Sequence, residues 1–336
     1  MIDTHSFNRF SQCPLRYLED LRSSDVAGVV ERDEDDEQTG DGDDDFFINK
    51  RRATVRLGEA QRLICQSRLR GYSLKVKRWL DFFVDLVSEI SWNGAAFDSL
   101  VLPSDQKDLI MSFAEAQVQN RQTFDDVIEG KGKGIIMLLS GPPGVGKTLT
   151  AESVAENMQV PLYMMSAGDL GSGPSDIESK LSNILEMVEK WNAVLLLDEC
   201  DVFLEARSTS DLERNKLVSI FLRILEYYQG ILFLTTNRID NIDAAFQSRI
   251  HVSIAYPDLT VDARRTIWKN FVEKSSLPYM MEEKDYDELA QVKLNGRQIK
   301  NVLKTSLLLA MKKGGRLRRA LIDTVLAIES RRPQVT

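Results

Sequence analysis

The residues able to do chemistry in this chain begin at Gly141. Gly141-Pro142-Pro143-Gly144-Val145-Gly146-Lys147-Thr148 has the spacing G-x-x-x-x-G-K-T, the pattern of a loop that cradles phosphate. Glycines let the backbone curl until successive N–H groups point into one concavity, and a helix N-terminus beyond the loop adds partial positive charge. Lys147 is then placed to reach the β- and γ-phosphates of a nucleoside triphosphate, and Thr148 to put its hydroxyl on Mg²⁺. Leu149 follows directly and counts with the loop. Further along, Val194-Leu195-Leu196-Leu197 is an apolar run ending in Asp198-Glu199. A buried strand of that kind delivers two carboxylates to the C-terminal edge of a parallel sheet, where ligands bind. Asp198 suits Mg²⁺, a hard ion that prefers oxygen, and Glu199 suits proton abstraction from an attacking water. Asn237 ends the next apolar run. Its amide is able to orient that water or touch the γ-phosphate, although Asn is also an ordinary turn residue at a strand end.

Elements that position these residues follow from the hydrophobic pattern. Residues 135–139 are a buried-strand run just before the glycine loop, and 149–159 read as a helix just after it. Strands are expected at 161–165, 193–197, 231–234 and 251–255. Helices are expected between them, at 174–190 and 211–228. The apolar face of the second is Leu212, Leu217, Ile220, Phe221, Ile224, Leu225 and Tyr228. Alternation of this kind gives a mostly parallel sheet. After Pro257 the strand pattern stops, and 261–273, 285–291, 298–312 and 316–330 read as helices. The expected division is an acidic, disordered segment at 1–50, a small α/β preamble at 51–120, a nucleotide-binding core at 121–257 and a small all-α lid at 258–332. In the preamble, 79–87 is rich in strand formers, with a helix as the alternative, and 104–116 reads as a helix.

Composition narrows the function classes. The 336 residues suffice for two or three domains, and 43% hydrophobic residues suffice for a core. The net charge of −8 is concentrated: residues 31–45 hold ten acids and one arginine, so the rest is close to neutral. A near-neutral folded part gives no sign of nucleic-acid binding. That acidic run repels itself and reads as a solvated linker, or as a docking tail. No apolar stretch has the length of a membrane span or of a secretory signal. Three scattered cysteines fit no metal spacing and suggest a reducing compartment, with the cytoplasm favoured and the nucleus open. Two histidines exclude a histidine-rich metal site.

With these residues in hand, the chain resembles the AAA ATPases of the AAA+ superfamily. The resemblance is carried by Gly141 to Thr148 (Walker A), Leu195-Leu196-Leu197-Asp198-Glu199 (Walker B), Thr235-Thr236-Asn237 (similar to the sensor-1 segment) and Ile242 to Ile250. It covers roughly 121–330. The wording of 124–134 and 226–238 is similar to uncharacterised fungal AAA ATPases. The resemblance implies a P-loop αβα sandwich with a five-stranded parallel sheet in 5-1-4-3-2 order, followed by the helical lid. It implies ATP with Mg²⁺, and a homo-oligomeric ring, usually a hexamer, with nucleotide at subunit interfaces. Arg249 then stands where an arginine finger enters the neighbour's site, and Arg297 is similar to a sensor-2 arginine at a lid-helix start. A guanidinium suits the first role because it keeps its charge and spans phosphate oxygens. Val127 and Ile128 stand where adenine packs, or else are a buried β-branched pair of the core.

The resemblance further implies a motor that couples ATP hydrolysis to remodelling an unknown protein client. The alternative is an interaction protein gated by nucleotide, with slow turnover. Three departures bear on the choice. The loop Asp169-Leu170-Gly171-Ser172-Gly173 lacks the aromatic residue of many pore loops, only one arginine stands before Ile250-His251, and Cys200 follows Glu199.

Overall fold

The computed structural model describes residues 1–3, 6–7, 10, 67–119, 134–170, 174–204, 212–238 and 242–331. The acidic run at 31–45, Val127, Ile128 and the loop tip 171–173 lie outside the described residues. The chain divides into two compact units, Met1–Glu89 and Ile90–Thr336.

The first unit is a hairpin. Arg68–Ser73 (β1) pairs antiparallel with Arg78–Phe83 (β2), as expected for the strand formers near Trp79. Trp79 holds the unit together: Tyr72 and Phe7 meet it edge-on, with centroids 5.1 and 5.6 Å away. The expectation of a loose N-terminal segment is corrected at its start. Ile2 bridges Gly71, and the Tyr72 N–H donates to the Met1 carbonyl at 2.8 Å. Gly71 permits this approach, since a Cβ there would stand 2.3 Å from the Met1 oxygen.

In the second unit the three central strands of the sheet are apolar along most of their length because both of their faces are covered. Ile135–Ser140 (β3) and Ile231–Thr236 (β6) are buried at every position, and Val194–Asp198 (β5) at all but its last. With Leu162–Ser166 (β4) and Val252–Ala255 (β7) they form one parallel sheet in the order β4-β5-β6-β3-β7. Counted from the P-loop strand, this is the expected 5-1-4-3-2 order. Alternate residues face opposite layers. Met137, Leu139, Val194, Leu196, Ile231 and Phe233 pack with Ala151 and Val154 of Lys147–Asn157 (α2) and with Ile110 and Ala114 of Ser104–Gln119 (α1). The sandwich thus extends upstream of the expected start at residue 121. On the other face, Leu195, Leu197 and Leu232 meet Leu181 and Leu185 of Pro174–Lys190 (α3). After β5 the chain makes one turn of helix, Asp201–Leu204 (α4).

The long helix expected at 211–228 is Leu212–Leu225 (α5). It buries Val218, Phe221, Leu222 and Leu225. The expected face is rotated slightly, because Val218 and Leu222 are buried while Leu217 and Ile220 are only half-buried. A short helix, Ala244–Gln247 (α6), precedes β7.

Beyond Pro257 the lid is helical: Val261–Glu273 (α7), Glu283–Gln291 (α8), Gly296–Lys312 (α9) and Arg319–Glu329 (α10). Trp268, Val272, Leu289, Ile299 and Ile322 form its fully buried centre. Buried Arg264 donates to the Ala290 and Leu259 carbonyls, which ties α7 to α8 and to the chain leaving the sheet. One addition is a two-residue parallel pairing of Tyr279–Met280 (β8) with Leu317–Arg318 (β9). It explains why α10 begins at Arg319 and not at 316. Among the described residues no helix is long and apolar enough to cross a membrane.

His251 extends the sheet by one step at its β7 end. Its N–H donates to the Ile136 carbonyl at 2.9 Å, and its ring Nδ1 accepts from the Ile136 N–H at 3.1 Å. The ring must be unprotonated at Nδ1 to accept. Burial pushes its pKa below the ordinary 6.5. A lowered histidine pKa gives stability that is present above the unfolded value and lost as pH falls through the folded one. The expected outcome is a melting temperature that drops more steeply between pH 7.5 and 5.5 in wild type than in His251→Asn, which keeps an acceptor but cannot titrate. Equal slopes would remove His251 from the acid sensitivity.

Candidate functional site

β3 delivers the chain into the glycine loop, and the loop's conformation requires glycine where the sequence has it. Gly144 has φ +79° and Gly146, the residue capping α2, has φ +113°. Both lie in the region that side chains disfavour. Gly146 faces open space, with nothing within 4 Å of where a Cβ would stand. Val145 turns inward and packs on the core, while Leu149 stays exposed on the first turn of α2. Pro142 is half-buried and Pro143 exposed. Gly141 is pinned by its N–H donating to the Thr236 carbonyl at 3.2 Å.

Lys147 is 7% exposed, and its ammonium donates to three neutral oxygens. These are the carbonyls of Gly141 at 2.7 Å and Pro142 at 2.8 Å, and the side-chain oxygen of Asn237 at 2.9 Å. Burial pulls its pKa below the ordinary lysine value, and Asp198 and Asp201 oppose that from a distance. Arg297, on the first turn of α9, lowers it further. The structure thus brings Lys147 and Asn237 into contact, and the charge of Arg297 acts on Lys147.

Thr148 stands beside Asp198, its hydroxyl 3.3 Å from both carboxylate oxygens. A hydroxyl and a carboxylate side by side are the oxygen donors Mg²⁺ prefers. Among the described residues no group of three His, Cys, Asp or Glu stands ready to hold a metal. A metal here would therefore need phosphate or water oxygens to complete its shell. The open glycine cradle, the buried cation and the Thr148–Asp198 pair all fit a Mg²⁺-bound triphosphate. Glu199 is exposed at the end of β5 with φ +53°, a left-handed conformation unusual for glutamate.

Arg249 is held elsewhere. Its guanidinium pairs with Glu226, just past α5, and donates to the Ala245 carbonyl at 2.9 Å. Among the described residues its hydrogen bonds and ion pair go to Ala245 and Glu226, not to the loop or to Asp198 and Glu199 of its own chain. In the segment corresponding to a pore loop, Leu170 is fully buried, and Asp169 accepts from the Ser166 N–H at 2.8 Å.

Two features escaped the sequence reading. The hydroxyls of Thr235 and Thr236, next to Asn237, bond Asp198 and Asp201 respectively. The start of α9 also closes on the loop: the Gly296 N–H donates to the Gly144 carbonyl at 2.8 Å. Asn295 there caps α9 by accepting from the Gln298 N–H. The only sequence signal for either was a pair of threonines beside Asn237 and an Asn-Gly at a helix start.

Comparison with known proteins agrees with this geometry. The family described as "ATPase family associated with various cellular activities (AAA)" matches residues 137–258, which run from β3 to the chain just past β7. The segment is an AAA ATPase domain. An ATP-dependent zinc metalloprotease FtsH of Lachnoclostridium phytofermentans is 34% identical over 51% of this chain and 31% of its own. A Lon protease of Mycolicibacterium smegmatis is 26% identical over 71% of this chain and 35% of its own. A 26S proteasome regulatory subunit homologue of Methanothermobacter marburgensis is 29% identical over 51% of this chain and 48% of its own. The chain therefore spans less than half the length of these relatives.

The contact between lid and AAA loop gives a direct expectation. A Cβ on Gly144 would stand 2.7 Å from the Asn295 side-chain oxygen, on a backbone at φ +79°. Gly144→Ala should cost about 1–3 kcal/mol in strain and unseat the start of α9. Urea unfolding and limited proteolysis of the lid read both effects. An alanine variant as stable and as protected as wild type would show that the loop and lid do not depend on this approach.

Proposed function

We propose that this chain binds ATP with Mg²⁺ and hydrolyses it, and that it does so as a homo-oligomeric ring, usually of six subunits, that remodels a protein partner. The observation that carries the reading is the convergence of Lys147, Thr148, Asp198 and Asn237 from three elements onto one sheet edge. The relatives, two proteases and a homologue of a proteasome regulatory subunit, support a protein partner. The proposal extends to ATP turnover and not to peptide cleavage.

Bound nucleotide supplies the phosphoryl group to be attacked, and Mg²⁺ offsets charge on its oxygens. The residues of the chain do the rest. Gly144 and Gly146 keep the loop backbone free of side chains where phosphate must approach. Lys147 exchanges neutral carbonyl partners for phosphate oxygens, a gain for a buried ammonium that holds no carboxylate. Thr148 and Asp198 hold the metal side. Glu199 accepts the proton of the attacking water, and Asn237 orients that water or touches the γ-phosphate. Arg249 of a neighbouring subunit and Arg297 of the lid offset charge developing in the transition state.

A second reading, a nucleotide-gated assembly protein with slow turnover, draws on two observations: Arg249 is engaged by its own Glu226, and Leu170 is turned into the core. Two measurements separate the readings. Glu199→Gln should lower steady-state ATP hydrolysis by about 10²–10⁴-fold while ATP binding persists; equal rates would take Glu199 out of the mechanism. Specific activity of the wild type should rise with protein concentration through the assembly range, and Arg249→Ala should stay low and flat. Tight binding with negligible turnover at the highest concentration would favour the second reading.

A further inference from the structure

The five strands end unevenly at the site. The β5–β6 register runs from Val194↔Ile231 to Leu197↔Leu234 and then stops. The next residue on β6 is Thr235, 1% exposed. Four contacts from this one residue reach the three residues that follow the end of the register. Its hydroxyl donates to the Asp198 carboxylate and accepts from the Glu199 N–H at 3.0 Å. Its carbonyl accepts from the Cys200 N–H and from the Cys200 thiol, each at 3.0 Å.

The direction of the hydroxyl bond is forced. A backbone N–H only donates, so the Glu199 contact uses an oxygen lone pair of Thr235 and leaves its single hydrogen for Asp198. That hydrogen goes to Oδ1 of Asp198, and the Thr148 hydroxyl on α2 stands 3.3 Å from both oxygens of the same carboxylate. The N–H contact falls on Glu199, whose backbone is left-handed at φ +53°. Such a conformation persists only when neighbours over-determine it. Cys200 is fully buried, and burial together with the nearby Asp201 charge pushes its thiol pKa well up, so it serves as a neutral donor and anchor.

We propose that Thr235 is the positioning residue of this site: its hydroxyl aims Asp198 at the metal side of Thr148 and, through the Glu199 backbone, aims the Glu199 carboxylate at the attacking water. It rests on the reading that Thr148 and Asp198 hold Mg²⁺ beside bound nucleotide. Valine has the shape of threonine without the hydroxyl, so Thr235→Val removes the donor and leaves Asp198 and the Glu199 N–H without it. Thr235→Ser keeps the hydroxyl and loses only a methyl group.

The test uses the full chain with a fluorescent ATP analogue as the probe and Mg²⁺ as the titrant. For Thr235→Val, the Mg²⁺ concentration that half-saturates nucleotide binding should rise by about 10- to 100-fold, the range for partners that orient a metal ligand. Affinity for the analogue in EDTA should stay within about twofold, because Lys147 and the glycine loop are untouched. Turnover number at saturating Mg²⁺ should fall as well, while Thr235→Ser restores both readouts. Circular dichroism melts establish that each variant is folded, and Thr235→Ala replaces the valine variant if that one is not.

Val or Ala with wild-type Mg²⁺ dependence would overturn the proposal. So would Ser as impaired as Val, which would make Thr235 a packing residue. A wild type that binds Mg²⁺-nucleotide without turning it over would sink hydrolysis alone, and the Mg²⁺ titration would still decide the role of Thr235. A wild type whose nucleotide binding ignores Mg²⁺ would overturn both.

Discussion

A buried ammonium with no carboxylate in contact is the constraint on which the site depends. Lys147 sits at 7% exposure among three neutral oxygens. Carbonyl and amide dipoles satisfy its donors but do not neutralise its charge, and Asp198 and Asp201 act only from a distance. An interior cation in that position is costly unless an anion completes it. The loop around it is built for such an anion: its glycines leave the backbone bare, and one of them faces open space. The same arrangement explains why Asn237 matters before any water is considered. Its side-chain oxygen is one of the three that keep the ammonium in place.

The sheet order makes that constraint satisfiable. β6 lies between β3 and β5, so residues at and just past its end reach both the lysine that follows the β3 loop and the aspartate that ends β5. Asn237 reaches Lys147 on one side, and Thr235 reaches Asp198 on the other. If the strands were paired in chain order, β4 would lie between β3 and β5, and the end of β6, which carries Thr235 and Asn237, would be out of reach of the loop that leaves β3. Apolar runs with both faces buried fix which residues reach this edge, since a one-residue slip in register would turn Thr235 and Asp198 away from each other.

Much of this was legible in the sequence because it depends on local chemistry. The loop spacing, the strand before it and the helix after it predict the cradle, and the structure has it. An apolar run ending in Asp198-Glu199 predicts the second half. The helix faces came out nearly right, with α5 shifted toward Val218 and Leu222, because apolar residues on both sides of the true stripe blur its centre. Thr235 was not legible as a working residue. A threonine at a strand end is unremarkable until the register places it across from an aspartate far away in sequence. The approach of Gly296 to Gly144 was hidden for the same reason: it joins two elements that only the folded lid brings together. Met1 to Asp3 were expected to be loose on composition, yet pairing with β1 is a long-range backbone contact that composition does not encode.

The two arginines illustrate how position and partner decide what a guanidinium is free to do. Arg297 lies at the start of α9, the same turn whose Gly296 N–H holds the loop. Any motion of the lid that breaks this bond also changes the field at Lys147, because the charge of Arg297 is one of those acting there. Arg249 already holds a carboxylate and a carbonyl on its own chain. To serve a neighbour it must give up Glu226, and a partner's phosphate oxygens would have to replace that half-buried pair. Breaking one side of such a pair without a replacement is unfavourable. A neighbour's site that holds bound triphosphate offers the replacement and an empty one does not. In the proposed ring, release of Arg249 would thereby be linked to nucleotide in the next subunit, through the Glu226 carboxylate that holds it within its own chain.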